Sequence, residues 1–301
     1  MGAQSSTLPD VRGKLVAAAD MSALTWLRVG GPADVLFSPA DEQDLAQFLT
    51  ALDPDMPVYP VGVGSNLLVR DGGIRGVVVR LGASFANIAV EGADVVAGAA
   101  SLDAHVAKRA AAAGIAGLEF YRGVPGTIGG ALAMNAGAYG GETQDVLIEA
   151  WGVDRQGRRK TFSREQLGFS YRHCDAADDV IFTGARFRGH KDEPAKIEAR
   201  MADIMERREA SQPIRERTGG STFANPDGGK SWQLIDEIGG RGRMVGGAQM
   251  SERHCNFMIN LGDATAADLE ALGESVRRDV EINKGVKLRW EIRRIGESRE
   301  G

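Results

Sequence analysis

The sequence has little cysteine: Cys174 and Cys255 are the only two in 301 residues. No CxxC spacing occurs, so the sequence indicates neither a disulfide framework nor a thiolate-ligated metal site. Isolated thiols persist in reducing compartments. We therefore expect a cytoplasmic protein without a bound metal.

Long apolar runs are also missing. No run reaches the length of a transmembrane helix, and the first residues, MGAQSSTLPDVRGKL, lack the apolar centre of a signal peptide. We expect no membrane insertion. Gly2 and Ser6 match a myristoylation pattern, but no basic cluster accompanies them, so we reject lipid attachment.

Positive charge is not in excess. Lysine and arginine number 36 against 41 acidic residues, which gives a net charge of -5. Nucleic-acid binding depends on clustered cations that neutralise phosphates, so we expect no nucleic-acid partner. A small anionic ligand held by a few arginines stays compatible with this balance.

Glycine is abundant, with 40 residues, and it concentrates in one stretch. Arg122–Glu142 reads RGVPGTIGGALAMNAGAYGGE. Such a segment can expose its backbone to close approach, and N–H groups at the start of a helix can bind an anion. A mobile loop is the alternative, but the apolar side chains Val124, Ile128, Leu132 and Met134 are spaced through the stretch as anchors of a fixed shape. We predict a phosphate or pyrophosphate cradle.

A second glycine loop, Gly62–Asn66, lies between a strand-like segment and the β-branched run Ile74–Leu81. A dinucleotide fingerprint of the Rossmann kind needs GxGxxG at the start of a helix, and here the third glycine is missing. We therefore predict a strand–loop–strand cradle.

The remaining pattern predicts a globular α+β chain of two or three packed units. A short helix is expected within residues 1–20, a strand–turn–strand over Thr25–Phe37 and a helix from an N-cap at Ser101 to Ala113. Further predicted elements are a helix over Asp41–Leu52, strands around an Asp154–Gly157 turn, strand Val180–Phe187, a helix from Pro194 to Pro213 and a helix at Ser231. They continue with strand 255–261, a helix capped by Thr265 and Asp268 that ends at Gly285, and strand 287–295 with Leu288, Trp290 and Ile292 inward.

Seven motifs in order resemble the UDP-N-acetylenolpyruvoylglucosamine reductase family over nearly the whole chain. The direct step from Val180–Phe187 to the long helix is similar to the shorter subtype, which lacks an extra capping loop. The motifs are RVGGPAD at 28–34, VGVGSNLL at 61–68, GVPGTIGGALAMNAGAYGGE at 123–142, FSYR at 169–172, GGSTFANP at 219–226, VGGAQMSERHCNFMIN at 245–260, and Glu291 in the final strand.

The resemblance implies an FAD-binding fold of the vanillyl-alcohol-oxidase type, with two α+β lobes and a C-terminal α+β substrate domain. The lobes would cover residues 1–82, with 293–301 as a possible addition, and 83–192; the substrate domain would cover 196–292. Non-covalent FAD is expected, since neither glycine loop contains histidine. The implied cofactor-binding residues are Gly62, Gly64, Ser65, Asn66, Gly123, Pro125, Gly126, Thr127, Gly129 and Asn135.

The family's reaction reduces an enolpyruvyl ether to form UDP-N-acetylmuramate for peptidoglycan synthesis, with NADPH as co-substrate. Three residues match catalytic positions. Arg172 would hold the substrate carboxylate with its guanidinium fork, Glu291 would orient the intermediate as a protonated or hydrogen-bonded partner, and Ser221 would donate a proton. A monomer is expected.

For the substrate's uridine diphosphate, the resemblance implies Tyr139, Asn225 and Lys230, together with Arg172 for the carboxylate. The family often has lysine or arginine where this chain has Ala224, which shifts the expected phosphate contact toward Lys230. His254 belongs to a family motif, but we assign it no chemistry and regard a structural hydrogen bond as an equal explanation.

Each catalytic candidate also has a structural explanation when its neighbours alone are considered. Arg172 is then a surface arginine near a strand end, Ser221 satisfies a turn, and Glu291 forms an ion pair on a solvent face. Two other functions stay open. One is another FAD oxidoreductase of this fold that acts on an alcohol or hydroxy acid; the other is a nucleotide-sugar binding protein without chemistry.

Overall fold

The computed structural model describes residues 8–299, so the Gly2–Ser6 pattern and the chain ends of the predicted domains lie outside it. Its α-helices are α1 (Glu42–Ala51), α2 (Asp103–Ala112), α3 (Ile128–Met134), α4 (Thr143–Val146), α5 (Pro194–Ser211), α6 (Ser231–Glu237) and α7 (Ala266–Lys284).

The strands are mostly short. In chain order they are β1 (Lys14–Asp20), β2 (Pro32–Ser38), β3 (Val58–Pro60), β4 (Leu67–Val69), β5 (Ile74–Val79), β6 (Ile88–Glu91), β7 (Asp94–Gly98), β8 (Ile115–Ala116), β9 (Gly137–Ala138), β10 (Gly141–Glu142), β11 (Leu147–Asp154), β12 (Arg159–Ser163), β13 (Phe169–Ser170), β14 (His173–Cys174), β15 (Val180–Arg188), β16 (His190–Lys191), β17 (Arg217–Ser221), β18 (Met244–Val245), β19 (Ala248–Met250), β20 (Phe257–Asn260) and β21 (Arg293–Ile295).

The chain forms two compact units, each built from separated segments. The first unit contains the residues up to Ala17, Val35–Gly62 and Gly76–Met205. The second contains Ala18–Asp34, Val63–Arg75 and the residues from Glu206 onward. The division into three domains at the edges given above stays a prediction.

The smaller core of the first unit forms where α1 packs on a sheet of order β1–β2–β5–β3. The apolar face of α1 is set by the spacing of Leu45, Phe48 and Leu49, all of which are buried. Asp41 caps the helix by accepting a hydrogen bond from the Asp44 N–H at 2.9 Å. β3 is parallel to β5, and its end delivers the chain to Gly62.

The larger core of the first unit lies on a five-stranded antiparallel sheet of order β12–β11–β15–β7–β6. Helices α2 and α3 contribute the buried side chains Val106, Ala110, Ile128 and Leu132 to this core. Ile128 and Leu132 anchor the glycine-rich stretch, as predicted. The stretch therefore has a fixed position on the sheet.

The second unit packs α6 and α7 with an antiparallel sheet of order β17–β20–β19–β18. Leu269, Leu272, Val276 and Val280 line the buried face of α7 at helical spacing. Thr265 and Asp268 form a reciprocal capping box at its start, and Gly285 ends it in the left-handed conformation. A parallel pair joins β4 to β21.

Most predicted elements are confirmed, and four local predictions are wrong. The first twenty residues contribute strand β1 and no described helix; of Thr25–Phe37 only the second strand forms, as β2. Leu102, not Ser101, is the N-cap of α2. The final strand shortens to β21, although Leu288 and Ile292 are buried as predicted.

Candidate active site

Gly62, the first residue of one glycine loop, lies against Thr127 of the glycine-rich stretch within the first unit. A Cβ atom on Gly62 would lie only 2.7 Å from Thr127 Oγ1, so a side chain at position 62 would collide with the second loop. Among residues 8–299, no protein acceptor takes the backbone N–H groups of Gly62 and Thr127. A glycine-lined surface with available N–H donors suits an anion.

The start of α3 differs from the expected anion site. Ile128 N–H donates to the Ser101 carbonyl at 3.0 Å, and Gly129 N–H donates to the Ala99 carbonyl at 2.8 Å. The first two N–H groups of the helix are therefore used within the protein. Gly129 instead permits close packing, because an added Cβ would lie 3.2 Å from the Ala99 side chain.

Three predicted site residues of the first unit have left-handed backbone conformations. The φ angles are 42° at Asn135, 52° at Tyr139 and 59° at Arg172. Only two other non-glycine residues in the described part of the chain, Ala18 and Arg28, share this property. Strained backbone positions of this kind concentrate at functional sites, which supports the prediction that these three residues belong to one.

Asn135 ends α3 and is fully buried, with both ends of its amide engaged. Its Nδ2 donates to Glu142 Oε2 at 2.9 Å and to the Ser170 carbonyl at 3.2 Å. Its Oδ1 accepts from the Gln144 N–H at 3.0 Å. These bonds connect the glycine-rich stretch to the hairpin that carries Arg172.

Arg172 lies in the two-residue turn between β13 and β14, after the pair Ser170–His173. Its Nη2 donates to the Gly137 carbonyl at 3.1 Å, and its guanidinium lies 5.0 Å from the centre of the Tyr171 ring. The Tyr139 ring packs on Gly123, where an added Cβ would be 2.6 Å from Tyr139 Cε2. The structure thus places Tyr139 and Arg172 along the same glycine-rich stretch.

In the second unit, Gly64, Ser65 and Asn66 form the turn before β4. Gly64 has a φ of 67°, and its carbonyl accepts the Trp26 N–H at 3.1 Å. The N–H groups of Gly64 and Ser65 have no protein acceptor within residues 8–299. Asn66 is tied to the end of the chain, since its carbonyl accepts the Arg293 N–H at 3.0 Å.

Ser221 and Glu291 are brought together by backbone pairing in the second unit. Glu291 N–H donates to the carbonyl of Thr222, the residue after Ser221, at 2.8 Å. Asn66 Nδ2 donates to the Glu291 carbonyl at 3.1 Å. The Ser221 hydroxyl, at a half-buried position, has no protein hydrogen-bond partner in the described part of the chain. It is available to a ligand.

Asn225 and Lys230 flank a loop that leads into α6. Asn225 Oδ1 accepts the Ser231 N–H at 3.1 Å, while Lys230 has an exposed side chain at the N-cap position. Ala224 is buried, and its carbonyl accepts the Ser231 hydroxyl at 2.6 Å. The positive charge available to an anion bound at this loop is therefore that of Lys230.

His254 has a structural environment. Its ring contacts Phe257 and Trp232, with centroid distances of 4.7 and 6.4 Å, and its Nδ1 accepts the Asn256 N–H at 3.4 Å. Burial lowers the pKa of His254, and the charge of Arg241 lowers it further. A neutral, packed imidazole is expected at neutral pH.

Two features near the predicted site were not predicted: the buried carboxyl of Asp103, and the side-chain hydrogen bond of Trp290, for which the sequence predicted only an inward orientation. Asp103, at the start of α2, is fully buried, and within residues 8–299 neither of its carboxyl oxygens has a hydrogen-bond partner. Burial raises the pKa of Asp103 well above the ordinary value. Trp290, next to Glu291, donates from Nε1 to Glu274 Oε1 at 2.8 Å. Both depend on contacts between distant segments, which spacing alone does not reveal.

Residues 8–299 contain no helix long and apolar enough to cross a membrane. Within the same residues, no group of three histidine, cysteine or acidic side chains is arranged to hold a metal ion.

Two family models match separate parts of the chain. Residues 33–163 match the model described as FAD binding domain. Residues 212–295 match the model described as UDP-N-acetylenolpyruvoylglucosamine reductase, C-terminal domain. The chain therefore carries an FAD-binding domain followed by a second domain, and with the observed helices and sheets these matches confirm the predicted α+β fold of the vanillyl-alcohol-oxidase type.

Individual proteins match over nearly the full length. A UDP-N-acetylenolpyruvoylglucosamine reductase from Phenylobacterium zucineum is 62% identical, with 96% of this chain and 97% of that protein covered. One from Methylorubrum populi is 60% identical, covering 97% and 96%. The crystal structure of the corresponding reductase from Thermus caldophilus superposes with a TM-score of 0.82 at 34% identity, covering 95% and 99%.

Proposed function

Since the chain belongs to the UDP-N-acetylenolpyruvoylglucosamine reductase family of FAD-binding oxidoreductases, we propose that it reduces the enolpyruvyl ether of UDP-N-acetylglucosamine enolpyruvate to UDP-N-acetylmuramate. The reductant is NADPH and the setting is peptidoglycan precursor synthesis in the cytoplasm, by a monomer. The observation that carries this proposal is the full-length identity of 60–62% together with intact motifs in both units.

The glycine loops fit a bound FAD. Gly62 faces Thr127 at a distance that excludes any side chain, and both residues have N–H groups available for a phosphate. We assign the pyrophosphate to the loops that contain Gly62, Gly64, Ser65 and Asn66 and, in the other segment, Gly123, Pro125, Gly126, Thr127 and Gly129. Asn135 supports this surface by fixing the end of α3. The chemistry supplied by bound FAD is hydride transfer from NADPH to the vinyl carbon.

Ser221 protonates the carbon next to the one that receives the hydride. An alcohol is a weak acid, so this role requires a strongly basic carbon and a fixed hydroxyl. Its position on β17 fixes the Cα, and its hydroxyl has no competing protein acceptor in the described chain. Glu291, whose backbone N–H is bonded to the carbonyl of the next residue, Thr222, orients the intermediate.

Arg172 holds the substrate carboxylate and offsets the negative charge that develops during reduction. The hydrogen bond from its Nη2 to Gly137 and the Tyr171 ring restrict the guanidinium before substrate binds. A preorganised donor loses less conformational freedom on binding. Tyr139, Asn225 and Lys230 bind the uridine diphosphate, and Lys230 supplies the cation that Ala224 lacks.

The proposal is tested by measuring two half-reactions separately: reduction of the flavin by NADPH and its reoxidation by the substrate. The purified protein is reduced anaerobically with NADPH, and the substrate is then added while the absorbance of oxidised flavin is followed. We expect reoxidation by UDP-N-acetylglucosamine enolpyruvate and not by aldehydes or keto acids. Reduction without reoxidation would contradict the proposal and favour an oxidase of alcohols or hydroxy acids. The match of residues 212–295 weighs against that alternative, because it lies outside the FAD-binding domain.

A further inference from the structure

Trp290 is held by four contacts within the second unit. Its Nε1–H donates to Glu274 Oε1 at 2.8 Å, the Arg294 guanidinium lies 4.3 Å from its ring centre, and the Phe223 ring lies 5.2 Å away. Its six-membered ring enters a notch on α7 at Gly273, where an added Cβ would overlap it. A half-buried tryptophan fixed by four contacts has little freedom to move.

The same tryptophan is part of the pairing that carries the two proposed catalytic residues. Phe223 and Trp290 form an antiparallel bridge, which is extended by the bond from Ala224 N–H to the Arg289 carbonyl at 2.9 Å and by the bond from Glu291 N–H to Thr222. Leu288 and Ile292 are buried on the same side as the Trp290 ring. Glu291 directly follows Trp290, so the position of the indole constrains the backbone that carries Glu291.

Glu274 is itself held in a defined state. Burial acts to raise its pKa, but hydrogen bonds from Trp290 and Arg277 and the charge of Arg294 outweigh burial, so the pKa is lowered. The carboxylate is ionised and accepts from the indole as a charge-assisted bond. Glu274 thereby fixes both the depth and the rotation of the Trp290 ring.

We propose that the Glu274–Trp290 pair is the positioning element for Glu291, and sets its placement against Ser221 during proton transfer. The inference rests on the proposed function, and it assigns a role to residues that touch neither substrate nor cofactor. A displacement of about 1 Å in a catalytic group can reduce a rate by roughly a hundredfold. Loss of the indole bond should therefore slow the protonation step selectively.

The test compares Trp290→Phe and Glu274→Leu with wild type in single turnovers. We expect each variant to reduce its flavin with NADPH within about twofold of wild type and to form product roughly tenfold more slowly. The solvent deuterium isotope effect on product formation should increase, because proton transfer then limits the rate. Affinity of the FAD-loaded protein for the product, measured by calorimetry, should stay within about twofold.

Two further variants separate positioning from simple structural support. Glu274→Gln keeps an oxygen acceptor for the indole and should recover most of the rate that Glu274→Leu loses. Trp151→Phe is the matched control, since Trp151 also lies under an arginine, Arg159, but belongs to the first unit. It should behave as wild type in both half-reactions.

Several outcomes overturn the inference. Unchanged product formation in Trp290→Phe and Glu274→Leu would do so, as would equal slowing of both half-reactions, which indicates general loss of structure. If Trp290→Phe does not fold, the comparison of Glu274→Leu with Glu274→Gln tests the inference instead. A wild-type protein that the substrate cannot reoxidise overturns the proposed function and the inference with it, whereas an active wild type with unaffected variants overturns the inference alone.

Discussion

The two units hold their predicted site residues by different means. In the first unit, Asn135, Tyr139 and Arg172 occupy left-handed conformations that cost about 1–3 kcal/mol each. In the second unit, Ser221 ends β17 after an irregularity at the left-handed Gly220, Glu291 pairs through its backbone N–H with Thr222, and neither Ser221 nor Glu291 has a positive φ. Site residues can therefore be held either by left-handed turns or by backbone pairing between segments, and substitutions affect the two arrangements differently.

The largest expected effect concerns Ser221, in the paired segments of the second unit. Ser221→Ala should leave flavin reduction by NADPH nearly unchanged and slow reoxidation by substrate by roughly 100- to 10,000-fold, the range for loss of a general acid. Stopped-flow absorbance measures both steps. Ser275→Ala is the matched control, because its hydroxyl only donates to the Leu272 carbonyl in α7. Equal loss in both steps would exclude the proton-donor role.

On the turn side, Arg172→Lys should slow the substrate half-reaction by about tenfold, since one ammonium replaces a planar fork. Flavin reduction should change little. Arg158→Lys, at an ion pair with Asp154, controls for the loss of guanidinium elsewhere in the same unit. A normal reoxidation rate for Arg172→Lys would mean that Arg172 does not contact the carboxylate.

A third experiment measures what the strained turns contribute to stability. Asn135→Ala should lower the free energy of unfolding by about 2–4 kcal/mol, because it removes the hydrogen bonds that the fully buried Asn135 amide makes with Glu142, Ser170 and Gln144 and still places a residue with a Cβ in the left-handed conformation. Asn135→Gly also loses the bonds but tolerates the backbone, so it should lose about 1 kcal/mol less. Urea denaturation of the two variants distinguishes these contributions, and equal losses would contradict the strain argument.

The smallest effect concerns two buried acids near helix starts in the first unit. The Asp44 carboxylate accepts hydrogen bonds from the backbone N–H groups of Arg12, Gly13 and Ala40, whereas the Asp103 carboxyl has no hydrogen-bond partner in the part of the chain that the structure describes. Burial raises the pKa of both, but the backbone N–H groups prevail at Asp44 and lower its pKa; nothing opposes burial at Asp103, and its pKa is raised.

The two shifts have opposite signs for stability. A raised folded pKa means that Asp103 weakens the fold as pH rises above the ordinary value near 3.8, while Asp44 contributes stability that is lost as pH falls through its lowered pKa. At pH 7, Asp103→Asn should stabilise by about 1–2 kcal/mol and Asp44→Asn should destabilise. Thermal unfolding between pH 4 and pH 8 tests both, and a destabilised Asp103→Asn would indicate an undescribed partner.

Local signals made much of the fold predictable. Pro194 and Pro213 bound α5, and the Thr265 box with Gly285 bounds α7, because caps and prolines act within a few residues. The alanine-rich β1 was expected to be helical, since its strand conformation depends on pairing with β2 rather than on propensity. Long-range pairing is what a short window of sequence cannot contain.

The candidate site also has features that the local sequence predicts and features that depend on long-range contacts. The residue types came from motifs that the family comparison supports, and the roles of Arg172, Ser221 and Glu291 stay predictions. The left-handed turns and the bond from Asn66 to the Glu291 carbonyl join residues far apart in sequence. The expected helix-start anion site failed at Ile128 and Gly129, because carbonyls from a preceding segment take their N–H groups.

The interleaved segments of the second unit have a consequence for biosynthesis. Leu27, Val29 and Leu68 belong to a core whose other members begin at Phe223. During synthesis on the ribosome these early side chains cannot be buried in this core until the C-terminal residues have emerged, since domains fold as their segments become available. Nascent chains that stop before α7 would leave Leu27, Val29 and Leu68 exposed. Exposed apolar surface of this kind promotes aggregation and is what chaperones bind.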